Sequence, residues 1–276
     1  KKVFDWFYKK NKIYNLVVAY KNKSIIGVQG FIPFSKFDNI LKNYAFLAYW
    51  RVKKTKELGV GLRLFKIIKN NNFKFTGVVG INNELINYHK WQGFNTGKLD
   101  HHFFINNNLR AKKIIKFSKK KKFIKENINL IKLNKNNIYN INNKIFDYQY
   151  PKKTKKYLTF RYLNNKFYNY NLFYLKSKKV NLILVFRIVE IKNLKIMKII
   201  DLIGNQLNVK FIGGAMNFLL KKFNCEYSDF YSFGISKKLL SQAGFYDRYQ
   251  TKEVIPDLFE PFINKNRDIN YAYMSK

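Results

Sequence analysis

The sequence contains little cysteine, little proline and little glycine. Cys225 is its only cysteine, and four prolines and 13 glycines are spread over 276 residues. A single cysteine excludes a disulfide framework and a cysteine-based metal site. The neighbouring residues His101 and His102 would point to opposite faces of a strand, so they do not favour a metal site either. We therefore expect no bound metal.

Long hydrophobic runs are also missing. The longest apolar stretch, residues 180–191, is interrupted by Asn181, Arg187 and Glu190 and is too short to cross a bilayer. No secretory leader follows Lys1. Because the chain starts with Lys rather than Met, we expect the first elements of its first domain to be missing. These features predict a cytoplasmic protein without a membrane span.

Acidic residues are few, since 54 Lys and Arg stand against 16 Asp and Glu, which gives a formal net charge of +38. Lys, Asn, Ile, Phe and Tyr are all frequent and share AT-rich codons, so genome composition accounts for part of the lysine. The densest cluster, residues 112–122, is typical of a solvated linker. With 47% apolar residues the chain can form two folded domains. Its basic surface favours anionic substrates such as CoA, nucleotide sugars or RNA.

A glycine turn joins an apolar segment, residues 44–50, to a helical pattern. The apolar segment is predicted to be a strand. The helix is expected to present one apolar face, formed by Leu62, Phe65, Ile67 and Ile68.

The turn itself, residues 56–61, has the chemistry of a phosphate cradle. Unpaired N–H groups and the macrodipole at a helix start attract an anion, and Gly59 and Gly61 let the backbone approach it. The glycine patterns of nucleotide hydrolases and dinucleotide-binding proteins are absent. The turn therefore predicts a ligand with a diphosphate.

A second element follows in the order strand, cap, helix and stop. Residues 77–80 form the strand, Asn82 the cap, residues 84–92 the helix, and Gly93-Phe94 the stop. In this order and at this spacing, the two elements together predict one kind of fold much more specifically than either element alone.

These residues resemble the GCN5-related N-acetyltransferase superfamily. Its acyl-CoA loop, [Arg/Gln]-x-x-Gly-x-[Gly/Ala], is matched by Lys56, Gly59 and Gly61, and its later helix by Asn82 and Gly93-Phe94. Lys56 keeps the charge of the usual arginine but loses its planar hydrogen bonding. The resemblance implies acetyl-CoA or another acyl-CoA as cosubstrate, with its diphosphate on residues 58–62 and its pantetheine in a slot where two strands splay apart. The implied cofactor-binding residues are Arg51, Val52, Lys53, Lys56, Leu58, Gly59, Val60, Gly61, Leu62 and Asn82.

Many members of this superfamily place a tyrosine four residues before the closing glycine, where it protonates the leaving thiolate. His89 holds that position and Tyr88 lies beside it. His89 is our first choice as the acid, Tyr88 is the second, and a third alternative assigns the role to neither. The acceptor amine can lose its proton to water, so a dedicated base is not required.

The chain repeats itself. The aromatic segment that begins at Trp6 has a counterpart 154 residues later at Phe160, and Gly93-Phe94 has one 151 residues later at Gly244-Phe245. We expect an α/β (α+β) fold with two tandem acetyltransferase-like domains, each a mixed, mostly antiparallel twisted sheet flanked by helices. The expected divisions are an acyl-CoA-binding domain at 1–110, a basic linker at 111–126 and a second domain at 127–276.

The second copy is expected to contain strands at 128–133, 172–175, 180–189, 195–203 and 227–233, and helices at 138–146, 154–163, 211–223 and 237–243. Its counterpart of the glycine turn, residues 204–210, lacks the glycine pair, and Gly213-Gly214 falls inside the helix. We therefore expect this copy not to hold CoA. Acceptor binding and a purely structural role are equally open for it.

Tandem copies resemble bacterial N-acyltransferases that acylate a nucleotide-linked amino sugar, UDP- or dTDP-linked, for surface glycans such as lipopolysaccharide. Residues 157–162 and 242–248 carry this resemblance, which implies Arg161, Tyr162 and Arg248 as acceptor-binding residues. One alternative is a Fem-type aminoacyl transferase of peptidoglycan synthesis. The other is a basic nucleic-acid-binding protein without catalysis, although the loop and helix lead us to expect no nucleic-acid partner.

Overall fold

The computed structural model describes residues 1–54, 57–108, 113–115, 117, 121–191, 193–256 and 263–276. The chain forms two units, Lys1–Lys98 with Ile269–Lys276 and Leu99–Asp268, called the first and second unit here. Within the described residues, no helix is long and apolar enough to cross a membrane.

The α-helices are α1 (Lys2–Tyr8), α2 (Val60–Lys69), α3 (Ile86–Trp91), α4 (Lys155–Leu158), α5 (Gly213–Lys222) and α6 (Lys237–Gln242). The strands are β1 (Lys9–Lys10), β2 (Ile13–Tyr14), β3 (Leu16–Lys21), β4 (Ser24–Pro33), β5 (Tyr44–Val52), β6 (Phe75–Val79), β7 (Asn95–Lys98), β8 (Asp100–Ile105), β9 (Asn129–Lys132), β10 (Tyr170–Lys176), β11 (Asn181–Ile191), β12 (Leu194–Gly204), β13 (Cys225–Ser232), β14 (Tyr246–Asp247) and β15 (Asn270–Ser275).

The first unit is built on a sheet with the order β3-β4-β5-β6-β15-β7, in which only the β5–β6 pairing is parallel. Helix α2 connects these two parallel strands and buries Val60, Leu64, Phe65 and Ile68. The expected apolar face is partly wrong, because Leu62 and Ile67 are 41% and 54% exposed. Positions 60, 64 and 68 recur every four residues and form the stripe that faces the sheet.

The second unit is built on a sheet with the order β14-β8-β13-β12-β11-β10-β9. Its one parallel pairing among the described strands is β12–β13, with α5 between them in the chain. The main core lies between this sheet and α5, and includes Phe104, Phe186, Met197 and Leu219. Both units therefore have the mixed, mostly antiparallel sheet that the sequence predicts.

The prediction of one helix at residues 138–146 is wrong. Two short 3₁₀ helices, Ile138–Asn140 and Asn143–Tyr148, replace it. The backbone is extended at Ile141, and the side chain of Asn142 accepts a hydrogen bond from the amide of Lys144, so the chain restarts instead of continuing. The helix expected at 154–163 is present as α4 followed by a π-helical turn, Thr159–Leu163.

The division of the chain differs from the expected one because the two halves exchange a strand. Strand β8 follows β7 in the chain but pairs with β13 and β14, whereas β15 pairs with β6 and β7. The units therefore divide at 98/99 and at 268/269 instead of at 110 and 127. An apolar strand pattern reveals that a strand is buried but not which sheet it joins, so the sequence does not show this exchange.

The repeat is visible in matching details of the two units. Helices α3 and α6 start 151 residues apart, at Ile86 and Lys237. After each helix a phenylalanine amide returns to a helix carbonyl at 3.0 Å, from Phe94 to His89 and from Phe245 to Leu240. His89 and Leu240 thus hold equivalent positions.

Candidate active site

The first unit opens where β5 and β6 separate. These strands pair only at Tyr44–Phe75, Ala45–Thr76 and Phe46–Gly77, although β5 continues to Val52. Tyr49 forms a bulge in β5 with a φ of 41°, since its neighbours Ala48 and Trp50 pair with adjacent residues of β4. The backbone of β5 beyond Phe46 therefore faces a gap between two parallel strands.

Helix α2 starts beside this gap on a glycine. Gly59 is its N-cap with a φ of 74°, a left-handed conformation that glycine adopts without strain, and no side chain caps the helix. The amide of Arg63 makes the first helical bond, to the carbonyl of Gly59, so the amides of Val60, Gly61 and Leu62 come before the hydrogen-bonded turns. A Cβ on Gly59 would meet no heavy atom within 4 Å, so the space in front of this turn is open.

Gly61 is required for packing, because it lies against the side chain of Trp50. A Cβ at Gly61 would stand 3.1 Å from the indole Cζ2, which is closer than ordinary contact. The second glycine of the motif thus lets the tryptophan at the end of β5 pack on the first turn of α2. Sequence reasoning missed Trp50, although its place as the last residue of the predicted strand was the available signal.

Of the other predicted cofactor residues, Lys56 lies outside the described residues, and the rest lie at the end of β5, at the start of α2 and after β6. Leu58 is 89% exposed, and Arg51, Val52 and Lys53 lie exposed on the last residues of β5 and just after it. Val60 is buried in the core of the first unit. Asn82 is the exposed N-cap of the 3₁₀ helix Asn83–Leu85, without a side-chain capping bond.

Glu57, just before the turn, is held by a lysine. Its carboxylate lies 2.5 Å from Nζ of Lys21, and this ion pair lowers the pKa of Glu57. Glu57 is therefore an ionised surface residue, and its hydrogen bond to Lys21 makes it a poor proton acceptor for catalysis.

His89 is buried in a ring of aromatic side chains. It is 1% exposed, and its ring lies 5.8 Å from Phe65 and 5.6 Å from Phe94, centroid to centroid. Its Nδ1 lies 2.8 Å from the carbonyl oxygen of Leu85, so this nitrogen carries the proton and donates it. Burial lowers the pKa of His89. The equivalent residue of the second unit, Leu240, is a fully buried core residue, which matches a structural role for His89.

Tyr88 differs from His89 because its polar group has no partner. The Tyr88 hydroxyl and the Trp50 Nε1 are both buried without a hydrogen bond, and the two rings lie 5.4 Å apart. Burial raises the pKa of Tyr88, so the phenol stays protonated at neutral pH. Two buried donors without partners are unfavourable unless a bound molecule satisfies them.

The second unit has the same opening, and there it forms a cavity. Strand β12 carries a bulge at Ile200, 151 residues after Tyr49, and its pairing with β13 ends at Ile199–Phe230. A cavity of about 660 Å³ occupies the opening. Its lining residues come from the ends of both strands, the turn after β12 and the segment before α4; they include Tyr148, Gln149, Tyr150, Lys153, Asp201, Leu202, Asn205, Leu207, Phe230, Ser232 and Phe233.

The start of α5 is closed, unlike the start of α2. A Cβ on Gly213 would lie 2.5 Å from the carbonyl oxygen of Ala243 and 2.6 Å from Cβ of Phe123. A 3₁₀ helix, Gln206–Phe211, fills the turn after β12, and Asn205 caps it by accepting from the amide of Leu207. The start of α5 is therefore packed differently from the start of α2, and the absence of CoA binding in this unit stays a prediction.

The three predicted acceptor residues lie in the second unit but do not form one cluster. The Tyr162 hydroxyl donates to Asp201 at 3.0 Å, and Nζ of Lys153 lies 2.7 Å from both oxygens of that carboxylate. Arg161 hydrogen-bonds to Tyr157 in the same helical segment. Arg248 is instead buried, forms an ion pair with Asp268 and stacks on Tyr249, so its charge is already neutralised. The acceptor roles of these residues stay predictions.

The two adjacent histidines point to opposite faces of β8, as the strand geometry requires, since His101 pairs with Tyr231 and His102 with Phe230. His101 and Lys198 both contact the buried carboxylate of Asp229, at 2.5 and 2.9 Å. Burial alone would raise the pKa of Asp229, but these two partners hold it below its usual value. Among the described residues, no group of three side chains can hold a metal.

No family model matches this sequence, and no curated protein matches it. The fold, in contrast, is similar to solved structures of low sequence identity. A GCN5-related N-acetyltransferase from Anabaena variabilis matches with a TM-score of 0.53 and 10% identity, over 94% of this chain and 62% of that one. A conserved protein of unknown function from Enterococcus faecalis matches with a TM-score of 0.53 and 7% identity, over 93% of this chain and 61% of that one. A protein from Pyrococcus horikoshii, provisionally described as an acetyltransferase, matches with a TM-score of 0.50 and 11% identity, over 95% of this chain and 74% of that one.

These similarities show the fold. The chain has the fold of GCN5-related N-acetyltransferases over nearly its whole length, which confirms the predicted fold class. It spans about three fifths of the Anabaena and Enterococcus proteins and about three quarters of the Pyrococcus protein.

Proposed function

We propose that this chain is an acyl-CoA-dependent N-acyltransferase and that its first unit binds the acyl donor. One observation carries the proposal: an uncapped helix start with open space before Gly59 lies next to the gap between β5 and β6. A helix start of this kind favours a diphosphate, and a strand edge with unpaired backbone groups favours the amides of pantetheine.

In this proposal the diphosphate lies on the amides of Val60, Gly61 and Leu62. Arg63 is anchored by its bond to the carbonyl of Leu58, 3.3 Å away, and adds positive charge beside the turn. Lys53 and Lys56 are the further cations that the sequence places there. The pantetheine arm follows the β5 edge beyond Phe46, and Asn82 borders the other strand of the gap.

The reaction requires little from the protein. The neutral amine of the acceptor attacks the thioester carbonyl, and the new C–N bond gives a tetrahedral intermediate, which collapses as the C–S bond breaks. Backbone N–H groups of β5 beyond Phe46 stabilise the oxygen of the tetrahedral intermediate. The amine proton passes to water, and the departing thiolate takes a proton from the protein.

Tyr88 is the better acid of the two candidates. Its hydroxyl carries a proton and has no hydrogen-bond partner, and its ring lies 5.4 Å from the ring of Trp50 on β5. The Nδ1 proton of His89 is already donated to Leu85, and its other nitrogen carries no proton because burial lowers the pKa. We therefore assign proton donation to Tyr88, and to His89 a structural role in holding α3 against Phe65.

The acceptor we propose is the amine of a nucleotide-linked amino sugar. The tandem arrangement supports this substrate class, because the second unit has an opening without a diphosphate cradle and is free to serve the acceptor. The high positive charge favours an anionic, nucleotide-linked molecule. A place in surface-glycan synthesis follows from that acceptor.

The proposal is tested by incubating the chain with acetyl-CoA and longer acyl-CoAs together with UDP- and dTDP-linked amino sugars. Mass spectrometry should show one acyl-CoA bound per chain, and an acylated sugar nucleotide should form together with free CoA thiol. An absence of acyl-CoA binding at millimolar concentration would contradict the proposal.

A further inference from the structure

The cavity of the second unit has features that the fold alone does not require. Its volume of about 660 Å³ lies within the range of about 300–1,000 Å³ that is typical of small-molecule sites. The glycine at the start of α5 is tightly packed, whereas Gly59 before α2 has no neighbour within 4 Å of a Cβ, so this cavity differs from the opening of the first unit.

The cavity is bordered by apolar side chains that remain exposed. Tyr148, Tyr150, Leu207 and Phe233 line it and are 59%, 56%, 60% and 55% exposed. Leaving such large apolar surfaces in water is unfavourable, and a group of them around one opening indicates a binding surface. Three of the four are flat rings, which suit a ligand with a flat apolar face.

The lining of the cavity also contains polar groups. Lys153 and Asp201 form an ion pair whose side chains are 16% and 11% exposed, and the Tyr162 hydroxyl donates to the same carboxylate. Ser232 also lines the cavity, is 6% exposed and has no hydrogen-bond partner for its hydroxyl. A buried hydroxyl without a partner is unfavourable, and a ligand with hydroxyl groups would satisfy it.

A pyranose ring combines the two kinds of surface that this cavity offers. Its axial C–H groups form an apolar face that stacks on aromatic rings, while its equatorial hydroxyl or amino groups require hydrogen-bond partners. A lipid chain would leave the Ser232 hydroxyl unsatisfied. A bare phosphate would find Lys153 already neutralised by Asp201.

We propose that this cavity binds a pyranose ring. The rings of Tyr148 and Phe233 cover its C–H face, and Asp201, Lys153 and Ser232 bond its hydroxyl or amino groups. That the bound ring belongs to the acceptor of acyl transfer rests on the function proposed above; the binding itself does not.

The experiment is saturation-transfer NMR on the full chain with D-glucosamine, D-galactosamine and methyl α-D-glucopyranoside as probes. At least one sugar should receive saturation, and Tyr148→Ala should weaken its binding at least tenfold. The matched control is Phe218→Ala, which removes an aromatic ring that is 53% exposed on α5 of the same unit and does not line the cavity; it should leave binding unchanged.

A second variant separates binding from folding. Ser232→Ala removes a hydroxyl that has no partner, so the melting temperature should stay the same or rise, while sugar binding should weaken severalfold. A drop in melting temperature without loss of binding would contradict the assignment of Ser232.

Three results would overturn the proposal: no transfer to any of the three sugars, equal binding by the wild type and Tyr148→Ala, or acetyl-CoA binding that is lost in Tyr148→Ala. The last would make the cavity the acyl-CoA site. Titration of the same protein with acetyl-CoA distinguishes the two proposals. Acyl-CoA binding without sugar binding contradicts the pyranose site alone, and the reverse contradicts the acyltransferase alone.

Discussion

Gly59→Ala tests the diphosphate cradle with a single methyl group. Gly59 has a φ of 74°, where alanine is strained by about 1 kcal/mol, so the variant should unfold a few degrees earlier. Nothing lies within 4 Å of the new Cβ, so no clash adds to this cost. The methyl group occupies the space that the diphosphate requires. Loss of one charge-assisted backbone hydrogen bond, about 1.5–3 kcal/mol, should weaken acetyl-CoA binding about 10- to 100-fold in calorimetry.

Gly93→Ala is the matched control. Gly93 has a φ of 86°, also has nothing within 4 Å of a Cβ, and follows α3 rather than preceding α2. It should lose the same stability and keep its affinity for acetyl-CoA. Equal acetyl-CoA affinities for Gly59→Ala, Gly93→Ala and the wild type would refute the placement of the diphosphate at the start of α2.

Four further predictions concern buried polar groups. Tyr88→Phe should lower kcat about 100-fold, as expected for loss of a general acid. His89→Leu should have a much smaller effect on kcat, because leucine fills the equivalent position, Leu240, in the second unit. A larger loss of kcat in His89→Leu than in Tyr88→Phe would assign the acid role to His89. Because burial raises the pKa of Tyr88, the rate should not fall through its deprotonation below about pH 10, and a fall near neutral pH in a pH–rate profile would argue against it. Burial lowers the pKa of His102 to about 4, so the folded state resists its protonation. The free energy of unfolding should therefore fall by about 3 kcal/mol as the pH drops from about 6.5 to 4. Urea titrations of His102→Leu should show less of this loss. Lys198→Met leaves the buried carboxylate of Asp229 with one partner fewer and should cost about 3 kcal/mol in the same titrations, and an unchanged midpoint would show that the pair adds nothing.

The local elements of this fold could be predicted because their signals are local. The glycine turn predicts the start of α2, and Gly93 predicts the end of α3. The offset of 151 residues predicts the repeat and, through it, most strands of the second unit. The exchange of β8 and β15 could not be predicted, because strand pairing between distant segments leaves no mark in either segment alone.

The site was predicted less completely than the fold. The family pattern directs attention to Gly59, Gly61 and the position of His89, but not to Trp50, whose contact with Gly61 depends on the bulge at Tyr49. The environment that distinguishes Tyr88 from its neighbour is also tertiary, since it depends on which side chains surround each ring. Arg248 was predicted to bind the acceptor because the sequence does not reveal that Asp268 lies against it.

A crystal structure of the full chain with acetyl-CoA would show whether the first unit holds acyl-CoA at the start of α2. We expect one coenzyme per chain, its diphosphate within hydrogen-bond distance of the amides of Val60, Gly61 and Leu62, and its thioester in the gap between β5 and β6. A coenzyme bound in the cavity of the second unit, with the turn at Gly59 unoccupied, would contradict this expectation.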